Sequence, residues 1–238
     1  MKTVIHKAST RGYVNHGWLE SNHTFSFGNY YHPERMNFGV LRVLNDDIVQ
    51  PGMGFGTHPH RDMEIISIPL QGALSHKDSM DNKRAIEVGE VQVMSAGTGL
   101  THSEFNDSKT DKVNFLQLWI LPEEKGVVPN YEQKLFDISE RKNNFQTVVS
   151  PQDKLVEGSL GIHQQAYIQI GNFEAENTTS YNIPENNGVY IFNLRGIVKV
   201  NGHELRKRDA IGVWDTSQVK IDIIEGSELL LIEVPMQV

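Results

Sequence analysis

His58-Pro59-His60 and His102-Ser103-Glu104 place metal-ligating side chains at a spacing of two. Alternate residues on a β-strand share a face, so each pair can converge on one point. Three imidazoles and one carboxylate suit a divalent iron, nickel, manganese, copper or zinc ion and leave coordination positions open for chemistry. The geometry requires that the two segments face each other across a barrel. Around a divalent ion these ligands leave a net charge of about +1, which favours a singly anionic chelating substrate. Glu104 has a second role open to it, as a base that takes a proton from a substrate hydroxyl.

Other candidates compete less well. Asp62 and Glu64 share strand parity with His60; they either accept an imidazole N–H or pair with Arg61 and solvent. His16, His23 and His76 lack ligand spacing, and packing or a backbone hydrogen bond accounts for them. His163 and His203 have no His-x-His partner, and His203 follows the hairpin signal Asn201-Gly202. The early aromatics Phe25, Phe27, Tyr30, Tyr31 and Phe38 read as packing on a barrel wall, with the lining of a flat substrate site as the sharper alternative.

Composition narrows the chemistry. The 238 residues include no cysteine, which excludes disulfides, thiolate metal sites and a cysteine nucleophile. Any metal is therefore held by nitrogen and oxygen. The formal charge of -8, from 22 basic and 30 acidic residues, disfavours direct binding to nucleic acid. No apolar run approaches the roughly 20 residues needed to span a bilayer. Met1 to Lys7 carries no apolar segment of the secretory kind, so a soluble, cytoplasmic protein is expected, as a monomer. The basic run Arg206-Lys207-Arg208 reads as solvated surface.

Strand signals dominate the elements that must position these residues. Gly39–Leu44 breaks at Asn45-Asp46-Asp47; Met63–Leu70 stops at Gln71-Gly72; Val88–Met94 leads to the loop Ser95–Gly99; Val113–Leu121 has a clear period of two and closes at Pro122. The polar stretch Pro122 to Glu157 reads as a connection, with a short helix around Phe136–Arg141. Strands resume at Val189–Val200, Ala210–Trp214, Val219–Ile224 and Glu228–Pro235. Both halves end in an apolar strand and a proline, a weak internal similarity whose sense is a duplicated β domain. The expected fold is all-β, with domains at 1–130 and 131–238.

The first half resembles the cupin superfamily. Gly52, His58, His60, Glu64 and Gly72 follow the order of its first motif, although Gly72 falls one residue late, a departure that bears on Glu64 as a ligand. Gly97-Thr98-Gly99-Leu100-Thr101-His102 with Asn106 follows the second, glycine replacing proline. More narrowly, nearly the whole chain is similar to the bacterial pirin-like proteins. That likeness rests on His16-Gly17-Trp18-Leu19, His23-Thr24-Phe25-Ser26-Phe27, His58 to Glu64, His76-Lys77-Asp78 and Ser95 to Glu104.

The resemblance implies a bicupin of two β-barrels with a metal, usually iron, in the amino-terminal barrel only. His58, His60, His102 and Glu104 take the ligand positions, and the second cupin is structural. The ion expected is Fe(II), though such donors also accept Zn, Ni, Mn, Cu or Co. Some members of the family cleave quercetin with a 2,3-dioxygenase activity, and animal pirins act as nuclear co-regulators. The function expected here is oxidation of a quercetin-like flavonol by O2 with release of carbon monoxide. The alternative is a non-catalytic iron-dependent redox sensor that acts through a protein partner.

Overall fold

The computed structural model describes residues 1–237. Short strands rich in Val, Ile, Leu and Phe, punctuated by glycine turns, build two jelly-roll barrels, each of one seven-stranded and one four-stranded sheet. In the first barrel the larger sheet runs in the order Asn130–Leu135, Glu90–Ser95, Glu64–Gln71, Val113–Ile120, Leu41–Val49, Leu19–His23, Gly12–Asn15. The smaller sheet facing it runs Gly54–His60, Leu100–Asn106, Ala73–Asp78, Lys83–Glu87. Among the described residues no helix is long and apolar enough to cross a membrane.

The two larger sheets pack back to back. Ile66, Ile68, Leu116 and Leu118 of the first share one apolar core with Ile170, Tyr190, Phe192, Leu230 and Ile232 of the second. These strands are therefore buried on both faces. The opposite parity lines the barrel interiors, and here the halves diverge. The second barrel is filled by residues such as Val189, Ile191, Val213, Ile221 and Leu231. The first carries Asn45, Asp47, Ser67, Gln92 and Gln117 on strands of its larger sheet, all buried or nearly so.

The sheets divide differently from the expected boundary at 130/131. Asn130–Leu135 joins the first barrel as an edge strand beside Glu90–Ser95, its polar side chains half-exposed. Polar composition hid a strand because an edge strand buries little. Conversely, Lys2–His6 leaves its own half and pairs antiparallel with Ala210–Trp214. The helix expected around Phe136–Arg141 is one 3-10 turn, Ile138–Arg141, whose Ser139 N–H is capped by the Asp137 carboxylate. The break expected at Asn45-Asp46-Asp47 is absent, and the strand runs from Leu41 to Val49.

The reason lies in the partners of those three residues. Asp46 faces the second barrel, accepting from Arg208 Nε at 2.8 Å and from Asn114 Nδ2 at 2.8 Å, with Arg11 Nη1 3.7 Å away. Arg11, almost wholly buried, lies over the Phe192 ring. Asp47 points the other way, into the first barrel, and accepts from the Ser21 hydroxyl. Buried partners overrode the turn preference of Asn and Asp.

Candidate metal centre

His58 and His102 do not face each other across the barrel. Their strands are neighbours in the smaller sheet, and the two residues are directly opposite in register. The pairing then slips: Glu104 lies opposite Phe55, so the His58 strand carries one extra residue, a β-bulge. The bulge includes Gly56, whose carbonyl accepts from His58 Nδ1 at 2.7 Å, which leaves Nε2 free as the ligand nitrogen. The Gly-rich loop before His102 is shaped by close backbone approach. A Cβ on Gly97 (φ +45°) would lie 2.0 Å from the Val127 carbonyl oxygen.

Strand pairing brings together three imidazoles. Ring centroids are 4.5 Å apart for His58 and His102, 4.9 Å for His60 and His102, and 4.9 Å for His58 and His60. Their ligand atoms lie within 4.8 Å of one another. A second cluster of the same span shares His102 and adds Glu104 and His76. Glu104 thus meets the centre through His102, one layer deeper than His58 and His60. It is held from across the barrel, where Gln117 Nε2 donates to Oε2 at 2.6 Å and Ser67 Oγ to Oε1 at 3.1 Å.

Electrostatics favour the ligating forms. Burial, reinforced by the neighbouring imidazoles, pushes His102 down to about 2; burial and His58 push His60 down to about 4. Both are neutral near pH 7, so a metal ion does not compete with a proton there. Burial raises the Glu104 carboxyl above its ordinary range, against the hydrogen bonds from Gln117 and Ser67 that lower it.

A metal ion fits this chemistry. His102 is 1% exposed, yet neither of its ring nitrogens has a hydrogen-bond partner among the described residues. A bare buried nitrogen costs free energy, and a metal–nitrogen bond removes that cost. The site is also reachable: half-buried His60 lines a mouth with Pro59, Arg61, Ser79, Gly99 and Thr101, a depression of about 580 Å³.

Three residues here were given no role in the site by sequence. His76, expected to be packing, donates through Nε2 to the Asp78 carboxylate at 3.0 Å and stands beside His102, centroids 5.3 Å apart. Its period-two spacing to Asp78 was the available signal. Gln117 and Ser67 gave only their parity, polar positions within apolar strands. Among the described residues neither Asp62 nor Glu64 accepts from an imidazole N–H, and the histidine beside Glu64 is His163, not His60. Asp62 turns left-handed (φ +48°) and accepts from Gly126 N, so strand parity ends at His60. Glu64 accepts from Ser95 Oγ at 2.6 Å. Of the early aromatics, Phe25 and Phe38 pack between the barrels, and Tyr31 is exposed. Phe27 stands edge-on to Trp119, itself edge-on to His60.

Asp47 predicts a pH effect. Burial pushes its carboxyl up to about 7, above the ordinary value of 3.8. Between those values the folded protein binds more protons at this site than the unfolded chain, so its contribution is full below about pH 4 and is lost as pH rises through 7. Asp47→Asn removes that loss, while the buried histidines are common to both proteins. Thermal unfolding of the metal-free proteins from pH 4 to 8 should therefore show the variant gaining on the parent as pH rises. A constant difference would mean Asp47 is ionised at ordinary pH.

Known proteins resemble this chain along nearly its whole length. Residues 4–120 match the family model Pirin, and residues 147–234 match the quercetinase C-terminal cupin domain. The quercetin 2,3-dioxygenase of Escherichia coli (strain K12) is 44% identical over 231 residues, 97% of this chain and 98% of that protein. A pirin-like protein of Caulobacter vibrioides is 38% identical, covering 93% of this chain and 95% of its own length. The crystal structure of the bacterial pirin YhhW from Escherichia coli in complex with nickel(II) covers 100% of both chains at 42% identity, with a TM-score of 0.93.

Proposed function

Because the chain belongs to the pirin family, we propose that it is a metal-dependent dioxygenase of quercetin-like flavonols, using O2 and releasing carbon monoxide. His58, His60 and His102 would hold the ion, with Glu104 as the carboxylate ligand and Fe(II) as the preferred metal. The observation that carries the reading is the bare, buried His102 beside two half-buried histidines, of which His60 lines the mouth. When bound, the ion supplies Lewis acidity toward an adjacent hydroxyl and carbonyl and a path for electrons to oxygen.

The chain's own residues account for the rest. Glu104, its proton affinity raised by burial, can take the proton of a flavonol 3-hydroxyl while Gln117 and Ser67 hold its two oxygens. His76, fixed by Asp78, flanks the same carboxylate and stabilises its charged form. Trp119 beside His60 offers an aromatic wall to a flat ligand at the mouth, and Arg61 offers a positive charge to the enolate. Neither nucleic acid nor a membrane is needed for this chemistry; a cytoplasmic monomer would suffice.

The test is reconstitution with Fe(II) under nitrogen, addition of quercetin, and admission of oxygen. Flavonol absorbance and headspace carbon monoxide are followed, with His58→Ala as control. Turnover with carbon monoxide that is lost in the variant supports the dioxygenase. Tight iron binding without turnover would overturn it and leave a redox sensor acting on a protein partner.

A further inference from the structure

Away from the metal chamber, the back-to-back sheets leave a cleft of about 300 Å³ between the barrels. Ile68 and Leu116 of the first barrel and Ile170 and Leu230 of the second give it apolar walls. Four cations line it, Arg141, Arg195, Lys207 and Arg208, against two carboxylates, Glu90 and Glu228. The run Arg206-Lys207-Arg208, expected as solvated surface, is exposed at Arg206 and Lys207, and Lys207 and half-buried Arg208 line the cleft.

Most of these charges are already engaged. Arg208 donates to Asp46 at 2.8 Å and to the Leu194 carbonyl at 2.6 Å; Arg195 faces Glu228 at 3.4 Å. Glu90 accepts from the Glu87 N–H and the Gln133 amide. Two cations remain. Lys207 is exposed and has no ion-pair partner among the described residues. Arg141 is 5% exposed; its Nε donates to Gln146 at 2.9 Å, but its buried Nη2 has no acceptor among the described residues. A buried guanidinium N–H without an acceptor is costly, and an anion in the cleft would supply one.

We propose that this cleft binds a small organic monoanion, a carboxylate head held by Arg141 and Lys207 on an apolar body lying against Ile68, Leu116 and Leu230. Glu90 and Glu228 make it unwelcoming to a dianion such as phosphate, and the aliphatic walls reward an apolar body. The site is separate from the metal chamber but shares a sheet with it. Ile68 follows Ser67 and Leu116 precedes Gln117, so the wall of the cleft is the reverse face of the strands that hold Glu104.

The probe is 1-naphthoate, titrated calorimetrically into the full-length protein, with neutral 1-naphthalenemethanol and inorganic phosphate as comparators. One saturable site is expected. Affinity should fall about tenfold or more in Arg141→Gln and in Lys207→Gln, as loss of a charge-assisted hydrogen bond implies, and stay unchanged in His58→Ala. Ile138→Trp, at a half-exposed residue lining the cleft, should block binding and keeps the test sharp should Arg141→Gln not fold. Equal affinity in the Lys207 and Ile138 variants, loss in His58→Ala, absence of saturable binding, or phosphate binding as tightly as naphthoate would each overturn the proposal.

Discussion

His102→Ala is expected to lower metal affinity by more than the roughly 10–100-fold that follows loss of an outer hydrogen-bond partner of a metal ligand. His102 is the one side chain common to both ligand clusters, buried to 1% and bracketed by His58, His60 and His76. His58 and His60 sit at the open side, where water can stand in for a lost imidazole, so their single alanine variants should lose less. Competition against a calibrated chelator measures all three, with circular dichroism to verify the fold. Stoichiometric metal retained by His102→Ala would place the ion elsewhere.

Asp46→Ala is expected to destabilise the protein by about 3–5 kcal/mol, the range for breaking a buried ion pair from one side. Asp46 faces Arg208 at 2.8 Å and Arg11 at 3.7 Å, and both guanidiniums are largely buried, at 17% and 5% side-chain exposure. Nε and Nη1 of Arg11 have no hydrogen-bond partner among the described residues, so the Asp46 carboxylate is the charge that compensates it. At roughly 2–4 °C per kcal/mol for a chain near this size, the midpoint of thermal unfolding should fall by about 6–20 °C. Glu225→Ala, at an exposed turn, should change it little. A loss below about 1 kcal/mol would mean that water screens the cluster as it would a surface pair.

The two-residue spacing of His58 with His60 and of His102 with Glu104 made the candidate ligands legible, because period two is a property of any strand. Strand neighbourhood was not, because it depends on which of many strands pair, and nothing local in His58-Pro59-His60 says that Leu100–Asn106 lies beside it. Parity also leaves open which face is inside. Asn45, Asp47, Ser67 and Gln117 look like solvent-facing positions of half-buried strands, yet both faces of those strands are covered. The clue was comparative. In the second half the inward parity holds Ile191, Leu229 and Leu231, whereas in the first it holds amides, a hydroxyl and a carboxylate. A barrel that keeps polar groups inside needs something polar to surround. Glu64 illustrates the opposite error, since its parity with His60 dissolved at the left-handed Asp62.

The strand Lys2–His6 has a consequence in time. It leaves the ribosome before every strand of the first barrel, yet its partner, Ala210–Trp214, follows more than 200 residues later. At about 5–20 residues per second, this strand waits roughly 10–40 s for the edge it completes. Every strand of the first barrel is synthesised within that interval, so the barrel with the histidines can close, its candidate ligands already together, while the second is still being made. The second barrel then finishes with this earlier-made strand, where His6 meets the Tyr190 hydroxyl at 2.7 Å. Nascent protein would thus have the histidine cluster before it has a cleft between barrels.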